Sequence, residues 1–184
     1  MQPLSRYILL IVISCTSLSS LAQKVELPIY NHEIIYSDTV FVNNMPKKQL
    51  YDNANKWLLK KFPKQNATGF FKMDSLSGRI VANAQSSYYE HGIKGRSTNI
   101  VNYFVEIRVF DNAYGFRFYK FNAYNYELSQ NTSKYQAAIN FESDYKIYNA
   151  SKFNPFVPRR IRQLDDTIRE QIDDLMKTLG EGEE

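Results

Sequence analysis

The sequence predicts an α+β domain in which two amphipathic helices cover one face of an antiparallel sheet. Two segments with helical periodicity, 46–62 and 158–179, flank a region in which apolar and polar residues alternate as they do in strands. Aromatic residues make up 15% of the chain, with 14 tyrosines, which is typical of strands rather than of helical bundles. We predict the element order β-α-β-β-β-β-loop-α.

The first 22 residues have the pattern of a secretory signal peptide. Arg6 supplies the positive charge, an apolar run extends from Tyr7 to Ile13, and Ser20-Leu21-Ala22 is a small-residue cleavage site. The apolar run is shorter than the roughly 20 residues of a spanning helix, so we expect export to the periplasm or cell envelope without a transmembrane anchor. As an alternative, Val12-Ile13-Ser14-Cys15 has the residue types of a lipoprotein cleavage site, with Cys15 lipidated.

The composition of the mature chain excludes some classes of protein. Cys15 is the only cysteine, so after cleavage there is neither a disulfide nor a thiol nucleophile. Residues 23–180 have the length of a single domain, and 181–184 form an acidic tail. A net charge of +4 for the whole chain is too mild to indicate a polyanionic partner.

The first predicted elements are a strand within 32–42 and a helix over 46–62. Pro46 suits the first turn of a helix, with Asn43 or Asn44 as its cap, and Pro63 ends it. The apolar positions recur at steps of three and four and predict one buried face: Leu50, Ala54, Trp57, Leu58 and Phe62.

Two further strands, 69–73 and 79–88, are joined by a turn at 74–78. A loop with two glycines follows at 90–97.

A hairpin over 101–126 is predicted to be the centre of the sheet. Asp111 and Asn112 suit a two-residue turn, which pairs Val109 with Tyr114 and fixes the register. Side chains alternate between the two faces of a strand, so one face is apolar: Tyr103, Val105, Ile107, Val109, Tyr114, Phe116 and Phe118. The other face mixes aromatic and charged residues, with Glu106 paired to Arg117: Phe104, Glu106, Arg108, Arg117, Tyr119 and Phe121.

Residues 128–157 are predicted to connect the hairpin to the last helix. Residues 130–134 have the composition of a loop, and the rest is expected to form a short helix or an irregular excursion that holds Tyr135, Phe141, Tyr145 and Tyr148. The last helix, over 158–179, has apolar residues at steps of three and four: Ile161, Leu164, Ile168, Ile172, Leu175 and Leu179.

Three segments resemble a known protein family. They are Leu50-Tyr51 with Trp57-Leu58, then Gly78-Arg79-Ile80-Val81-Ala82, and the strand from Tyr103 to Val109 with Asp111 and Tyr114. In these segments the chain resembles secreted bacterial domains of unknown function with a TATA-binding-protein-like fold, over roughly residues 30–127. The resemblance implies a curved antiparallel sheet with helices on one face, and it implies no activity.

The sequence carries little that indicates catalysis or a cofactor. His32 and His91 lie in different segments and in no zinc-binding motif, so we expect neither a metal nor another cofactor. The stretch from Tyr114 to Phe121 partly resembles the aromatic motif of RNA-binding domains, but Tyr114 and Arg117 do not fit it, and we expect no nucleic-acid partner.

Two hypotheses about function follow. The first is a non-catalytic binding module that engages an envelope protein, peptide or glycan through the mixed face, with Phe104, Arg108, Arg117 and Tyr119 at its centre. The alternative for these residues is that 128–157 folds over that face and buries them in a second small core. The second hypothesis is an enzyme that acts on the envelope, with Glu90 and His91 as its acid–base groups. No residue is assigned a catalytic role, and the sequence indicates no oligomeric state.

Overall fold

The computed structural model describes residues 25–63, 71–92, 95–129, 132–150 and 156–181. In chain order the elements are β1 (Ile29–Tyr30), β2 (Glu33–Phe41), α1 (Lys47–Lys61), β3 (Phe71–Asp74), β4 (Arg79–Gly92), β5 (Gly95–Phe110), β6 (Ala113–Ser129), β7 (Thr132–Ile139), α2 (Phe141–Asn149) and α3 (Phe156–Glu181). The predicted signal peptide, 1–22, lies outside these residues. No described helix combines the length and the apolar character that a membrane span requires.

All the strands are antiparallel and form one sheet in the order β1-β2-β6-β5-β4-β3. Strand β6 is long enough to have two neighbours on the same side. Its first half pairs with β2, from Ala113 to Tyr119, and its second half pairs with β7, from Ala123 to Ser129. The β5–β6 hairpin is therefore central, as predicted.

The hairpin turn at Asp111 and Asn112 also holds the start of α1. Asn112 has a positive φ, 61°, a conformation that asparagine tolerates in such turns. The Asp111 carboxylate accepts the Lys47 N–H at 2.9 Å, and the Asn112 side-chain oxygen accepts the Met45 N–H at 3.0 Å. The first N–H groups of a helix need an acceptor from outside the helix. For α1 the hairpin turn supplies that acceptor, and Asn43 and Asn44 do not.

A bulge in β6 changes the predicted register beyond Tyr119. Phe104 pairs with Tyr119 and Asn102 with Asn122, so Lys120 and Phe121 together lie opposite Tyr103. Lys120 has a φ of 58°, the left-handed conformation found at such bulges. From Ala113 to Tyr119 the predicted register is confirmed.

The core lies between the sheet and the three helices. The face of the hairpin that contains Val105, Ile107 and Phe118 is fully buried, as predicted. The predicted apolar faces of both amphipathic helices pack against it, with Ile172 half-buried. Polar contacts also join the layers. The Tyr36 hydroxyl donates to Asp165 at 2.9 Å, and the half-buried Ser86 bonds to the buried side chains of Tyr103 and Gln171, which also bond to each other.

Two segments predicted as loops contain regular structure. Within 128–157, residues 132–139 form β7 and 141–149 form α2, whose Asn140 cap accepts the Ser143 N–H at 2.8 Å. Within 90–97, β4 continues to Gly92 and β5 begins at Gly95. The loop predictions for 130–134 and 90–97 were wrong where strands form, because they rested on polar composition, while a long neighbouring strand offers backbone partners to residues of any composition. Helix α2 agrees with the short helix that was one alternative for the rest of 128–157.

Candidate binding surface

Four rows of side chains cross the sheet on the face opposite the helices, which we call the open face. Successive pairings join residues of β2, β6, β5 and β4 into these rows. In order along the hairpin the rows are Phe41-Ala113-Phe110, Thr39-Gly115-Arg108-Arg79, Ser37-Arg117-Glu106-Val81 and Ile35-Tyr119-Phe104-Asn83. Aromatic residues therefore lie in the first and last rows, and the arginines lie in the two rows between them.

Glu106 is a buried carboxylate in the centre of the open face. Its Oε1 atom accepts the Nε–H of Arg79 at 2.8 Å and the Nε–H of Arg108 at 2.7 Å. The hydrogen bond from Arg79 contributes most to lowering the pKa of Glu106, and it outweighs the effect of burial, which raises that pKa. The carboxylate is thus ionised at neutral pH and holds two arginines in place.

Aromatic rings support the third arginine. Phe104 stacks on Tyr119 with their ring centroids 5.7 Å apart, and the Arg117 guanidinium lies 4.9 Å above the Tyr119 ring. Such a contact restrains the arginine without using its N–H donors.

A cleft of about 510 Å³ lies over Gly115, where the second row lacks a side chain. Its walls include Arg108, Arg117, Phe110 and the Ser37 and Thr39 segment of β2. A Cβ built on Gly115 would lie 3.6 Å from both the Asp38 carbonyl oxygen and Thr39 Oγ1, an ordinary contact. Gly115 thus leaves space at the floor of the cleft, and a larger residue would occupy part of it.

The structure brings together five of the six residues predicted from the sequence for this surface. Phe104, Glu106, Arg108, Arg117 and Tyr119 lie on the open face. Phe121 does not, because the bulge at Lys120 turns it into the core, where its ring meets Tyr36 edge-on at 5.8 Å and it is 6% exposed. The predicted partner of Glu106 also differs: Arg117 is opposite it in the register, but the ion pairs of Glu106 go to Arg79 and Arg108.

Helix α2, in the segment that was predicted either to cover this face or to form a loop, lies on the other side of the sheet. Phe141 is fully buried in the core beside α3, and the half-buried Tyr145 and Tyr148 pack against the same core. Among the described residues, 132–150 therefore leave the open face uncovered. Arg108, at 59%, and Phe110, at 53%, remain largely exposed.

Sequence reasoning missed several residues of the cleft. Gly115 and Phe110 could have been found, since the predicted register places Gly115 opposite Arg108 at the centre of a basic region. Arg79, Ser37 and Thr39 come from strands whose pairing with the hairpin depends on contacts between distant parts of the chain. The local pattern carries no signal for them.

The acid–base hypothesis concerned Glu90 and His91, whose side chains lie outside the described part of the structure. Their backbone belongs to β4 and pairs with Ser97 and Arg96. Val81, which pairs with Glu106, precedes Glu90 by nine residues, or about 30 Å of extended strand. The cleft therefore lies far from this pair. Among the described side chains, no three metal-ligating groups lie close enough together to hold a metal ion.

Known proteins resemble this chain in sequence and in fold. A TBP-like protein from Parabacteroides distasonis is similar in fold, with a TM-score of 0.64 and 17% identity, over 86% of this chain and 99% of that one. A DUF4468 family protein from Bacteroides ovatus gives a TM-score of 0.67 and 13% identity, over 84% and 90% of the two chains. No curated protein sequence matches. The sequence profile of a domain of unknown function with a TBP-like fold, DUF4468, matches residues 36–125, so the chain carries a DUF4468 domain.

Proposed function

We propose that this protein is a non-catalytic binding module of the periplasm or cell envelope, and that it engages a protein, peptide or glycan through the open face. The observation that carries the proposal is the cleft over Gly115, which lies between exposed arginines and exposed aromatic rings. Arginine and aromatic residues are enriched at interfaces, since they combine apolar contact area with directional hydrogen bonds. The signal-peptide pattern of residues 1–22 supports the location.

The internal bonding of this surface also supports a binding role. Arg79 and Arg108 are fixed by a buried carboxylate, and Arg117 is restrained by the Tyr119 ring. Side chains that are already ordered lose little conformational entropy when a ligand arrives, which lowers the cost of association. An arrangement that only kept the protein soluble would not need this order.

The proposal can be tested with a photoreactive amino acid placed at Thr39, on the wall of the cleft. After irradiation in a bacterial envelope extract, we expect cross-linked material that is absent when Gly115→Val is introduced into the same chain. Valine fits the backbone there, because Gly115 does not have a positive φ and a Cβ makes only ordinary contacts. β-Branched residues also suit strands, so the fold should be retained.

Ser87 offers a matched control. It is exposed in β4 and faces the same side of the sheet as Val81, about 20 Å further along the strand. Ser87→Val should leave the cross-linking at Thr39 unchanged. Equal cross-linking from Thr39 with and without Gly115→Val would contradict the proposal.

A further inference from the structure

We propose that the cleft over Gly115 binds the side-chain carboxylate of an acidic peptide that lies extended along β5 and β6. This inference rests on the binding function proposed above and names the class of its ligand.

The charge of the cleft favours an anionic group. Glu106 is shared by two arginines, so the Arg79-Glu106-Arg108 group carries a net positive charge, and Arg117 adds another. Asp38 also contributes to the cleft wall, but the register places it in the row of Phe116, on the helix side. Its carboxylate accepts the Thr39 N–H at 2.7 Å. The surface around the cleft thus carries one net positive charge, because Arg79, Arg108 and Arg117 outnumber the carboxylates of Glu106 and Asp38.

The geometry of the arginines suits a carboxylate. Arg108 lies directly opposite Gly115, and Arg117 lies two residues further along β6, a diagonal separation of roughly 7–8 Å between backbones. Both side chains line the space that Gly115 leaves empty. The bond of Arg108 to Glu106 uses Nε, one of the five N–H donors of a guanidinium, and guanidinium groups match the planar geometry of a carboxylate.

The aromatic rows give the length and the pattern of the ligand. Phe110 and Phe104 lie six residues apart on β5, about 20 Å, which is also the distance between the first and the seventh residue of an extended peptide. Phe110 and Phe41 are exposed at one end, and the Phe104 and Tyr119 stack lies at the other. A peptide with acidic residues at its centre and apolar residues at its ends would match all four rows.

The test is an NMR titration of the ¹⁵N-labelled protein with acetyl-Phe-Ala-Glu-Ala-Glu-Ala-Phe-amide, in which both phenylalanines and both glutamates lie on one face of the extended peptide. The control peptide has glutamine in place of both glutamates and differs only in charge. We expect the glutamate peptide to shift the Gly115 amide signal and to bind at least about tenfold more tightly than the glutamine peptide, since charge-assisted hydrogen bonds are roughly twice as strong as neutral ones. The difference should shrink as salt is added, because exposed charges are screened.

Two further arms separate the sources of negative charge. Acetyl-Phe-Ala-Ala with a free carboxyl terminus carries a terminal carboxylate, and inorganic phosphate supplies a different anion at matched ionic strength. Both are expected to bind more weakly than the glutamate peptide. Tighter binding of either, or equal binding of the glutamate and glutamine peptides, would overturn the inference.

Two variants with the same change of charge test whether the peptide binds at the cleft. Arg117→Gln should weaken binding of the glutamate peptide about tenfold or more, whereas Lys177→Gln, an equal change of charge at an exposed position of α3, should change it less than twofold. Equal effects of the two variants would overturn the inference. If Thr39 cross-linking still depends on Gly115 while the peptides bind equally, only this inference fails. If that dependence is also absent, the binding function fails with it.

Discussion

Lys120 decides which face of the sheet Phe121 joins. Its φ of 58° inserts one extra residue into β6, so Phe121 turns inward and contacts Tyr103, with the ring centroids 5.6 Å apart. The left-handed conformation is common for glycine and rare for lysine. No residue pattern therefore indicated this bulge, and simple alternation placed Phe121 on the wrong face.

Substitutions at Lys120 should reveal the cost of that conformation. Lys120→Gly should leave the free energy of unfolding unchanged or raise it by about 1 kcal/mol, whereas Lys120→Val should lower it by about 1–3 kcal/mol, because β-branched side chains fit the left-handed region poorly. Urea denaturation of the three chains measures both differences. A valine variant as stable as the glycine variant would contradict the bulge geometry.

Tyr114 is a fully buried tyrosine whose hydroxyl has no hydrogen-bond partner within the described structure. Burial, with a smaller effect from Asp38, raises the pKa of Tyr114 to about 12. The unfolded chain releases this proton near pH 10, the ordinary value for tyrosine. The native state therefore binds more protons than the unfolded state between about pH 10 and 12, and its stability falls across that window.

Tyr114→Phe should make this alkaline loss shallower by up to about 1.4 kcal/mol per pH unit, because one titrating group is removed. At pH 7 the variant should be at least as stable as the native chain, since a buried hydroxyl without a partner costs about 1–3 kcal/mol. Urea denaturation at pH 7 and at steps from pH 9.5 to 12 measures both effects. Parallel stability curves for the two chains would contradict the assignment.

At the scale of elements, α1 and α3 are joined by a polar contact beside their apolar one. Asp174 accepts the Trp57 indole N–H at 2.9 Å and pairs with the Lys61 ammonium at 3.0 Å. Burial alone would raise the pKa of Asp174, but the hydrogen bonds from Lys61 and Trp57 hold it below its usual value. Its stabilising effect is thus present above about pH 4 and is lost as the pH falls further.

We expect Asp174→Ala to lower the free energy of unfolding by about 1–2 kcal/mol, because the indole N–H of Trp57 loses its acceptor. Trp57 is the only tryptophan, so its fluorescence emission should also change. Asp173→Ala is the matched control, since Asp173 is the exposed neighbour of Asp174 and should change neither quantity. The same emission from both variants would show that the helix contact is absent.

Elements were predictable from the sequence where one local pattern was strong. Both amphipathic helices and the hairpin up to Tyr119 follow from periodicity and turn residues, and the structure confirms them. Strand β7 was missed, since backbone pairing with β6 forms it. A short helix within 128–157 was one of two alternatives, and packing against α3 stabilises the helix α2 that is observed. Asn140 and Ser143 were a readable helix-cap pattern, which the high content of polar residues and tyrosine concealed.

At the scale of the whole molecule, the two faces of the sheet differ in what they contact. The helix side is closed by α1, α2 and α3, and the hydrogen bond from Tyr36 to Asp165 joins the sheet to the helix layer. The open face orders its charged and aromatic groups among themselves and surrounds a cleft. The residues of the helix side thus stabilise the fold, and the proposed binding function lies on the open face. A change in the cleft should therefore alter binding while stability is retained.

The most direct test of this account compares cross-linking at Thr39 in the native chain and in the Gly115→Val chain, with both free energies of unfolding measured in urea. We predict that Gly115→Val reduces the cross-linked yield at least about tenfold and changes stability by less than about 1 kcal/mol, since the added side chain occupies the floor of the cleft without entering the core. An undiminished yield from a chain of equal stability would contradict the claim that the open face is a binding surface.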